Sequence, residues 1–320
     1  MKDLQKYLYY FKKLKRGSTK YGPAPHKAIL LLSVLQRFQL KKINSNQIFI
    51  TPELVMLFKT NWSNLVRTGH VCNFSLPFFH LRGEKFWHLV PKSGFEGFLL
   101  NRESISSLSE LNGSVQYAFL DDNLFELMCD PKTNKFLHQL ILDEYFPSAK
   151  KNYSYSSSLQ QKLFEEIEAK ILNEDASEYR AEIIKLLEQK NEEEIFLRGS
   201  LFKREIPKIY NYTCCISGMR ITSSASVSMI DACHIVPFSQ SYNDTVSNGI
   251  ALCPNLHRAF DRGLIGIDDD YKVIVNSNWN EEQSSYLIKH FENKKILLPS
   301  DKTCYPNLEN FSSHRKKFDF

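Results

Sequence analysis

Apolar residues recur at helical spacing through most of the first half of the chain. His26 to Leu40 carries a near-continuous apolar stripe and is predicted as a helix. Before it, residues 1–20 read as a helix with a basic end: Lys12, Lys13, Lys15, Arg16 and Lys20. Gly22-Pro23-Ala24-Pro25 breaks the chain between the two. Asn46 to Ile50 reads as a short strand. Thr51-Pro52-Glu53 is a helix start, with a hydroxyl cap and a proline in the first turn, and the helix runs to about Val66. Arg67 to His70 is a loop. Phe74 to Leu81 and Phe86 to Val90 look extended, around a turn at Arg82-Gly83-Glu84. Ser107 through Cys129 reads as two helices, and Lys132 to Phe146 as a third that ends at Pro147.

The pattern then changes. Ser148 to Ser158 is polar. Leu159 to Leu172, and Ala176 to about Leu197, keep helical periodicity but carry many glutamates, among them Glu165, Glu166, Glu168, Glu188, Glu192, Glu193 and Glu194. Such a run reads as a solvated helical face or a linker, and an acidic stretch does not belong on DNA. Arg198 to Tyr212 continues as a helix. Met229 to Val236 alternates: Ile230, Ala232 and His234 point one way, and Asp231, Cys233 and Ile235 the other. Pro237 ends that strand, and Phe238 to Ser247 is a loop rich in Ser, Asn and Asp. A short strand follows Asn248-Gly249, and Pro254 opens a helix that stops at Gly263. Leu264 to Val275 forms a hairpin around Asp268-Asp269-Asp270. Trp279 to Phe291 is predicted as a helix, and the chain closes on a basic tail, Arg315-Lys316-Lys317.

Composition narrows the class. The chain has 320 residues, 42% hydrophobic and 13% aromatic, enough for two packed cores. Seven cysteines without disulfide-like spacing fit a reducing compartment, and a cytoplasmic, prokaryotic protein is expected. No apolar run approaches a membrane span, and residues 1–17 lack the apolar core of a signal peptide. A net charge of +5 permits DNA binding without arguing strongly for it.

The densest chemistry lies in Ser228 to Gly263, SMIDACHIVPFSQSYNDTVSNGIALCPNLHRAFDRG. A histidine ends a strand, an Asn-Gly follows a polar loop, and His257 and Asp261 stand four apart on one helix face. An imidazole with a near-neutral pKa suits proton removal from water. A mixed nitrogen and oxygen donor set accepts one divalent metal, Mg2+, Mn2+, Ni2+ or Zn2+. In order and spacing the segment resembles the HNH nucleases of the ββα-metal class. The resemblance implies His234 as general base, Asn248 as the residue that orients the loop and base, and His257 with Asp261 as metal ligands, so His234, Asn248 and His257 form the implied catalytic group. The family usually places a further acidic or histidine ligand just before the base. Here that residue is Cys233, a departure, and Asp231 on the same strand face is the nominated third ligand. Arg258 and Arg262 flank the helix as candidate phosphate contacts. Cys214, Cys215, Cys233 and Cys253 form no Cys-x-x-Cys pair, and Tyr212 to Gly218 resembles the branch in which Ser-Gly replaces the second cysteine, so a structural zinc is not expected.

The first half resembles a second family. APHKAILLLSVL, LPFFHLRGEKFWHLV and the helical tail through FLHQLILDEYF are similar to the sulfur-binding domain of type IV restriction enzymes, over residues 5 to 147. The resemblance implies recognition of phosphorothioate DNA by a pocket around Leu76 and Pro77, with His26 and Lys27 from the start of the apolar helix and Phe74 and His80 nearby. The family often has an aromatic residue where Leu76 stands, which puts sulfur selectivity in question. Arg67, His70 and Arg82 are candidate phosphate or base contacts.

Together these readings predict an α+β protein: a mixed helical and β DNA-reading domain over 1–148, a charged helical linker over 149–198 and a ββα-metal HNH domain over 199–320. The implied enzyme is a modification-dependent restriction endonuclease acting on double-stranded DNA. A homodimer is expected, because each active site cuts one strand. Two alternatives stay open: a reader of methylated or otherwise modified bases, marked by an aromatic cage, and a DNA-binding protein with an inactive nuclease fold.

Overall fold

The computed structural model describes residues 2–43, 45–153, 158–221, 228–284 and 286–320. It divides into two compact units, residues 1–162 with 191–197, and residues 163–190 with 198–320. Helix and short strands are mixed in both, an α+β composition. The acidic stretch around 149–198 is shared between the units. No helix among the described residues is long and apolar enough to cross a membrane.

In the first unit, helix α1 (Lys2–Lys12) is followed by a small hairpin, β1 (Ser18–Thr19) and β2 (Gly22–Pro23), so the helix predicted over 1–20 ends early. Helix α2 (His26–Gln39) is the centre of the core. Ala28, Ile29, Leu30, Leu31, Leu32, Val34 and Leu35 are all fully buried, as expected of a helix apolar on nearly every side. Its buried Ser33 is paired inside: the Asn61 amide donates to Ser33 Oγ at 3.0 Å. Asn61 lies on α3 (Pro52–Leu65), which starts as predicted, with Thr51 Oγ1 accepting from the Leu54 amide.

Two expectations fail here. Residues 74–81 form helix α4 (Ser75–His80) and a 3-10 turn, not an extended segment. The Asn73 carboxamide accepts from the Leu76 amide, and Phe74 and Phe78, four apart, bury their rings on one side. A four-residue aromatic repeat is a helical period, which the run of bulky residues concealed. Strand β3 (Trp87–Pro91), helix α5 (Glu96–Asn101) and helix α6 (Leu108–Ser114) follow. The region read as two helices then contains a strand, β4 (Val115–Leu120), paired antiparallel to β3 with Trp87 opposite Leu120. Val, Tyr and Phe at 115, 117 and 119 are strand formers, and Asn112-Gly113, two residues ahead of Val115, is the break before them. The predicted strand at 46–50 contributes a single bridge, Ile48 to Ala118. Helices α7 (Asp122–Cys129) and α8 (Pro131–Tyr145) complete the run.

The charged segment folds as α9 (Ser158–Asn173), α10 (Ala176–Glu188) and α11 (Glu192–Ile209). It is more than a solvated face: Ile171, Tyr179 and Ile183 are fully buried, and Arg198, also fully buried, pairs with Glu182 at 2.8 Å.

The rest of the second unit holds β5 (Asp231–His234), a one-turn helix α12 (Phe238–Ser241), β6 (Gly249–Leu252) and α13 (Pro254–Asp261). Strands β5 and β6 pair antiparallel, from Asp231 opposite Leu252 to His234 opposite Gly249. A second hairpin, β7 (Ile265–Ile267) with β8 (Val273–Val275), closes the motif as predicted. The helix predicted over 279–291 does not form among the described residues, where only a 3-10 turn at Ile288–Phe291 appears; Ser285 lies outside them. The basic tail instead belongs to helix α14 (Leu308–Lys317), capped by Asn307 and anchored by buried Phe311 and His314. Its Arg315 is committed to the Ile267 carbonyl and Asp269, which removes that cation from a free basic tail.

Candidate active site

Strands β5 and β6 and helix α13 build one polar centre. Period-2 alternation puts Asp231 and Cys233 on one face of β5 and His234 on the other. On α13 the four-residue spacing stacks His257 over Asp261. The structure brings the two sets together. His257 Nε2 lies 3.4 Å from Asp261 Oδ2, and His257 Nδ1 lies 3.4 Å from Asp231 Oδ2. Cys233 Sγ lies 3.9 Å from Asp261 Oδ1. Donor atoms of Cys233, His257 and Asp261 fall within 4.8 Å of one another. Cys233 is buried, His257 half-buried and Asp261 exposed, so the group opens outward from a closed floor. Burial, then the Asp261 carboxylate, raises the Cys233 thiol well above its ordinary range.

His234 takes different partners. Its Nε2 is 2.7 Å from Asp244 Oδ1, and its ring stacks on Phe202 with centroids 4.0 Å apart and planes 9° from parallel. Asp244 is buried. Both contacts escaped the sequence reading. Asp244 lay in a loop whose Ser, Asn and Asp residues all read as turn formers, and Phe202 lay on a helix with no motif of its own.

Asn248 is fully buried and ties the loop shut. Its Oδ1 accepts from the Val236 amide at 2.9 Å, and its Nδ2 donates to the Val236 carbonyl at 2.9 Å and the Asn243 carbonyl at 3.0 Å. The loop carrying Asp244 is thereby pinned to the end of β5. Gly249 follows because space is short: a Cβ there would stand 2.3 Å from Ile206 Cδ1 and 2.8 Å from the Phe202 ring. At the far end of α13, Gly263 has φ +66°, the left-handed cap. Arg258 and Arg262 are exposed, one position on from His257 and Asp261, and so present a neighbouring face of α13.

In the first unit, Lys15, Arg16, Gly17, Thr19, Ala24, His26, Lys27, Leu76, Pro77 and His80 line a cavity of about 510 Å³. Five residues singled out from the sequence meet there: His26, Lys27, Leu76, Pro77 and His80. Lys27 is not a free cation, since its ammonium pairs with the buried Glu84 carboxylate at 2.6 Å. His26 Nε2 bonds the Val71 carbonyl at 2.9 Å and His80 Nε2 bonds Ser104 Oγ at 2.9 Å. Burial lowers the pKa of both rings.

The other candidates lie elsewhere. Phe74 is core, fully buried against Phe58 and Phe78. Arg67 folds back on the carbonyls of Ser63 and Asn64. Arg82 donates to the carbonyls of Leu99 and Arg102 and lies 3.9 Å over the Phe79 ring, which commits it to holding the chain. His70 bonds Thr19 and Thr68 and contacts the His26 ring edge-on, one layer behind the cavity wall.

Comparison with known proteins gives the centre a context. Residues 214–268 match the HNH endonuclease family model. No curated protein matches the chain. A solved structure titled "Modification dependent TagI restriction endonuclease" aligns at 21% identity with a TM-score of 0.30, over 37% of this chain and 38% of that one.

Proposed function

We propose that the HNH endonuclease domain of this chain hydrolyses DNA phosphodiester bonds at the centre built from His234, His257 and Asp261, and that the first unit reads a phosphorothioate on the duplex. The observation that carries the first part is that strand β5 carries two groups, an imidazole–carboxylate–thiol cluster from one face and a histidine oriented by a buried aspartate on the other.

The histidine supplies the base. With Nε2 held by Asp244, the ring leaves Nδ1 for the attacking water. Phe202 fixes the ring plane from below, so the base is aimed before substrate arrives. Asn248 acts at one remove, by holding the loop that presents Asp244. The donor set fits a divalent cation, with one imidazole, carboxylate oxygen and sulfur near one another, running from the buried Cys233 to the exposed Asp261. Such an ion, when bound, stabilises charge on the phosphate and leaving oxygens. Exposed Arg258 and Arg262 provide positive charge for the adjoining phosphates. One site cuts one strand, so a double-strand break calls for a homodimer.

The N-terminal cavity suits a soft anion. Leu76, Pro77 and Ala24 give it apolar wall, and Lys15 and Arg16 give it charge that Glu84 does not cancel as it does for Lys27. A non-bridging sulfur is larger and less hydrated than oxygen and loses less on entering such a wall. An aromatic cage for a modified base is less well supported. Among the described residues no Phe, Tyr or Trp lines the cavity, and Phe74, Phe78 and Phe79 are fully buried.

Binding of the His234→Ala protein to two duplexes, identical but for one stereodefined phosphorothioate, tests the reader at fixed salt near ~0.15 M, because backbone binding depends steeply on salt. The expected preference for sulfur is at least about tenfold, roughly 1.4 kcal/mol. Equal binding refutes the phosphorothioate reading. Wild-type cleavage with a divalent metal, lost in His234→Ala, tests the nuclease.

A further inference from the structure

We propose that Cys233 is itself a metal ligand, so that the centre takes a thiolate, an imidazole and a carboxylate from Cys233, His257 and Asp261, while Asp231 orients the His257 ring without touching the ion. This rests on the single-metal nuclease reading of the same site and changes its ligand set and its metal preference.

The two nitrogens of His257 divide the work. Nε2 faces Asp261 and Nδ1 faces Asp231, each at 3.4 Å. These nitrogens lie on different sides of the ring, and a ligating histidine presents one nitrogen to the metal and the other to an orienting carboxylate. If Nε2 ligates beside Asp261, Asp231 is the orienting carboxylate. Cys233 then fills the vacancy on the ligand side, buried on the same face of β5 with its sulfur 3.9 Å from Asp261 Oδ1.

The donor atoms of the three residues lie within 4.8 Å of one another, with His257 Nε2 3.4 Å from Asp261 Oδ2 and Cys233 Sγ 3.9 Å from Asp261 Oδ1, close enough for one ion to draw them together. Thiolate also favours softer ions, so Zn2+ or Co2+ should displace Mg2+ here. Binding releases the Cys233 thiol proton to solvent, and an open fourth position remains for substrate or water. A buried cysteine serving only as a small apolar filler would lack all of these consequences.

The test is Co2+ titration of the metal-stripped full-length protein, read by the thiolate-to-cobalt charge-transfer absorbance. Wild type is expected to show the band, and Cys233→Ala and Cys233→Ser to lose it. The Cys214→Ala/Cys253→Ala double variant and Cys215→Ala, which remove the other buried thiols of this unit, are expected to keep it. Equal melting of the stripped proteins checks that each variant is folded. Asp231→Asn is expected to keep the band and bind Co2+ about ten- to a hundredfold more weakly. Cobalt bound without the band, in a protein that still cuts DNA, overturns the Cys233 assignment and leaves the nuclease reading standing. A band that survives Cys233→Ala does the same. An unchanged affinity in Asp231→Asn overturns the orienting role. Failure of the wild type both to bind any divalent ion and to cut DNA overturns the nuclease reading itself.

Discussion

Asp244→Ala isolates what a buried carboxylate does for a general base. Asp244 is 2% exposed and holds His234 Nε2 at 2.7 Å. Removing it leaves the ring stacked on Phe202 but free to rotate about its own axis and to place its proton on either nitrogen. A hydrogen bond to a charged partner contributes about 1.5–3 kcal/mol. At about 1.4 kcal/mol per decade of rate, that is roughly a 10- to 150-fold loss in kcat. That range reaches only the lower end of the roughly hundred- to ten-thousandfold loss expected from removing the base outright. KM for DNA should hold, because Asp244 lies under the base and has no surface for the duplex. Asp244→Asn keeps an acceptor oxygen for the Nε2 proton and should recover part of the rate. A wild-type kcat in Asp244→Ala, or no recovery in Asp244→Asn, would refute the positioning role.

Other consequences follow from buried charge. Lys27→Met strands Glu84 without a cation and should destabilise the first unit by about 3–5 kcal/mol in urea unfolding, with most of that recovered in Lys27→Met/Glu84→Leu; a single variant as stable as wild type would show the pair to be dispensable. Acid should weaken both units through His138 and His314, whose pKa values burial lowers from 6.5 to about 4. The unfolded chain binds these protons first, so stability is complete above the unfolded value and falls as pH drops from 6.5 towards 4, by about 2 kcal/mol per histidine at pH 5. Stability that is flat between pH 7 and pH 5 in urea titrations would contradict this.

How much of the fold could be read from the sequence varied with the length and punctuation of each element. Helix α2 was plain because fourteen residues of apolar stripe follow a Gly-Pro break, and α3 because Thr51 and Pro52 mark its first turn. Strand β4 was hidden because its six residues pass directly from α6 to α7, with Asn112-Gly113 falling inside the last turn of α6 instead of between the elements. Helix α4 was misread because Leu76-Pro77-Phe78-Phe79 has strand-like bulk, and only the cap at Asn73 and the Phe74–Phe78 spacing give the helical period away. The acidic helices looked solvated by count of charge. Their buried positions, Ile171, Tyr179 and Ile183, are a thin stripe that composition averages out.

The active centre shows the same limit at the scale of single side chains. Resemblance to the HNH order pointed to His234, Asn248, His257 and Asp261, and of these the structure pairs His257 with Asp261 at 3.4 Å. The resemblance was not enough to assign the supporting residues. Asp231 and Cys233 share one strand face, and alternation alone treats them alike; only the position of His257 Nδ1 separates a carboxylate beside the ring from a sulfur beside the carboxylate of Asp261. Asp244 sits ten residues from His234 in a loop with several polar side chains, and Asn248 fixes that loop through backbone atoms. The contacts legible in the sequence are therefore those whose spacing is set by a regular element. Those set by a loop or by the direction of a ring nitrogen need coordinates, and the proposed metal ligands and base rest on them.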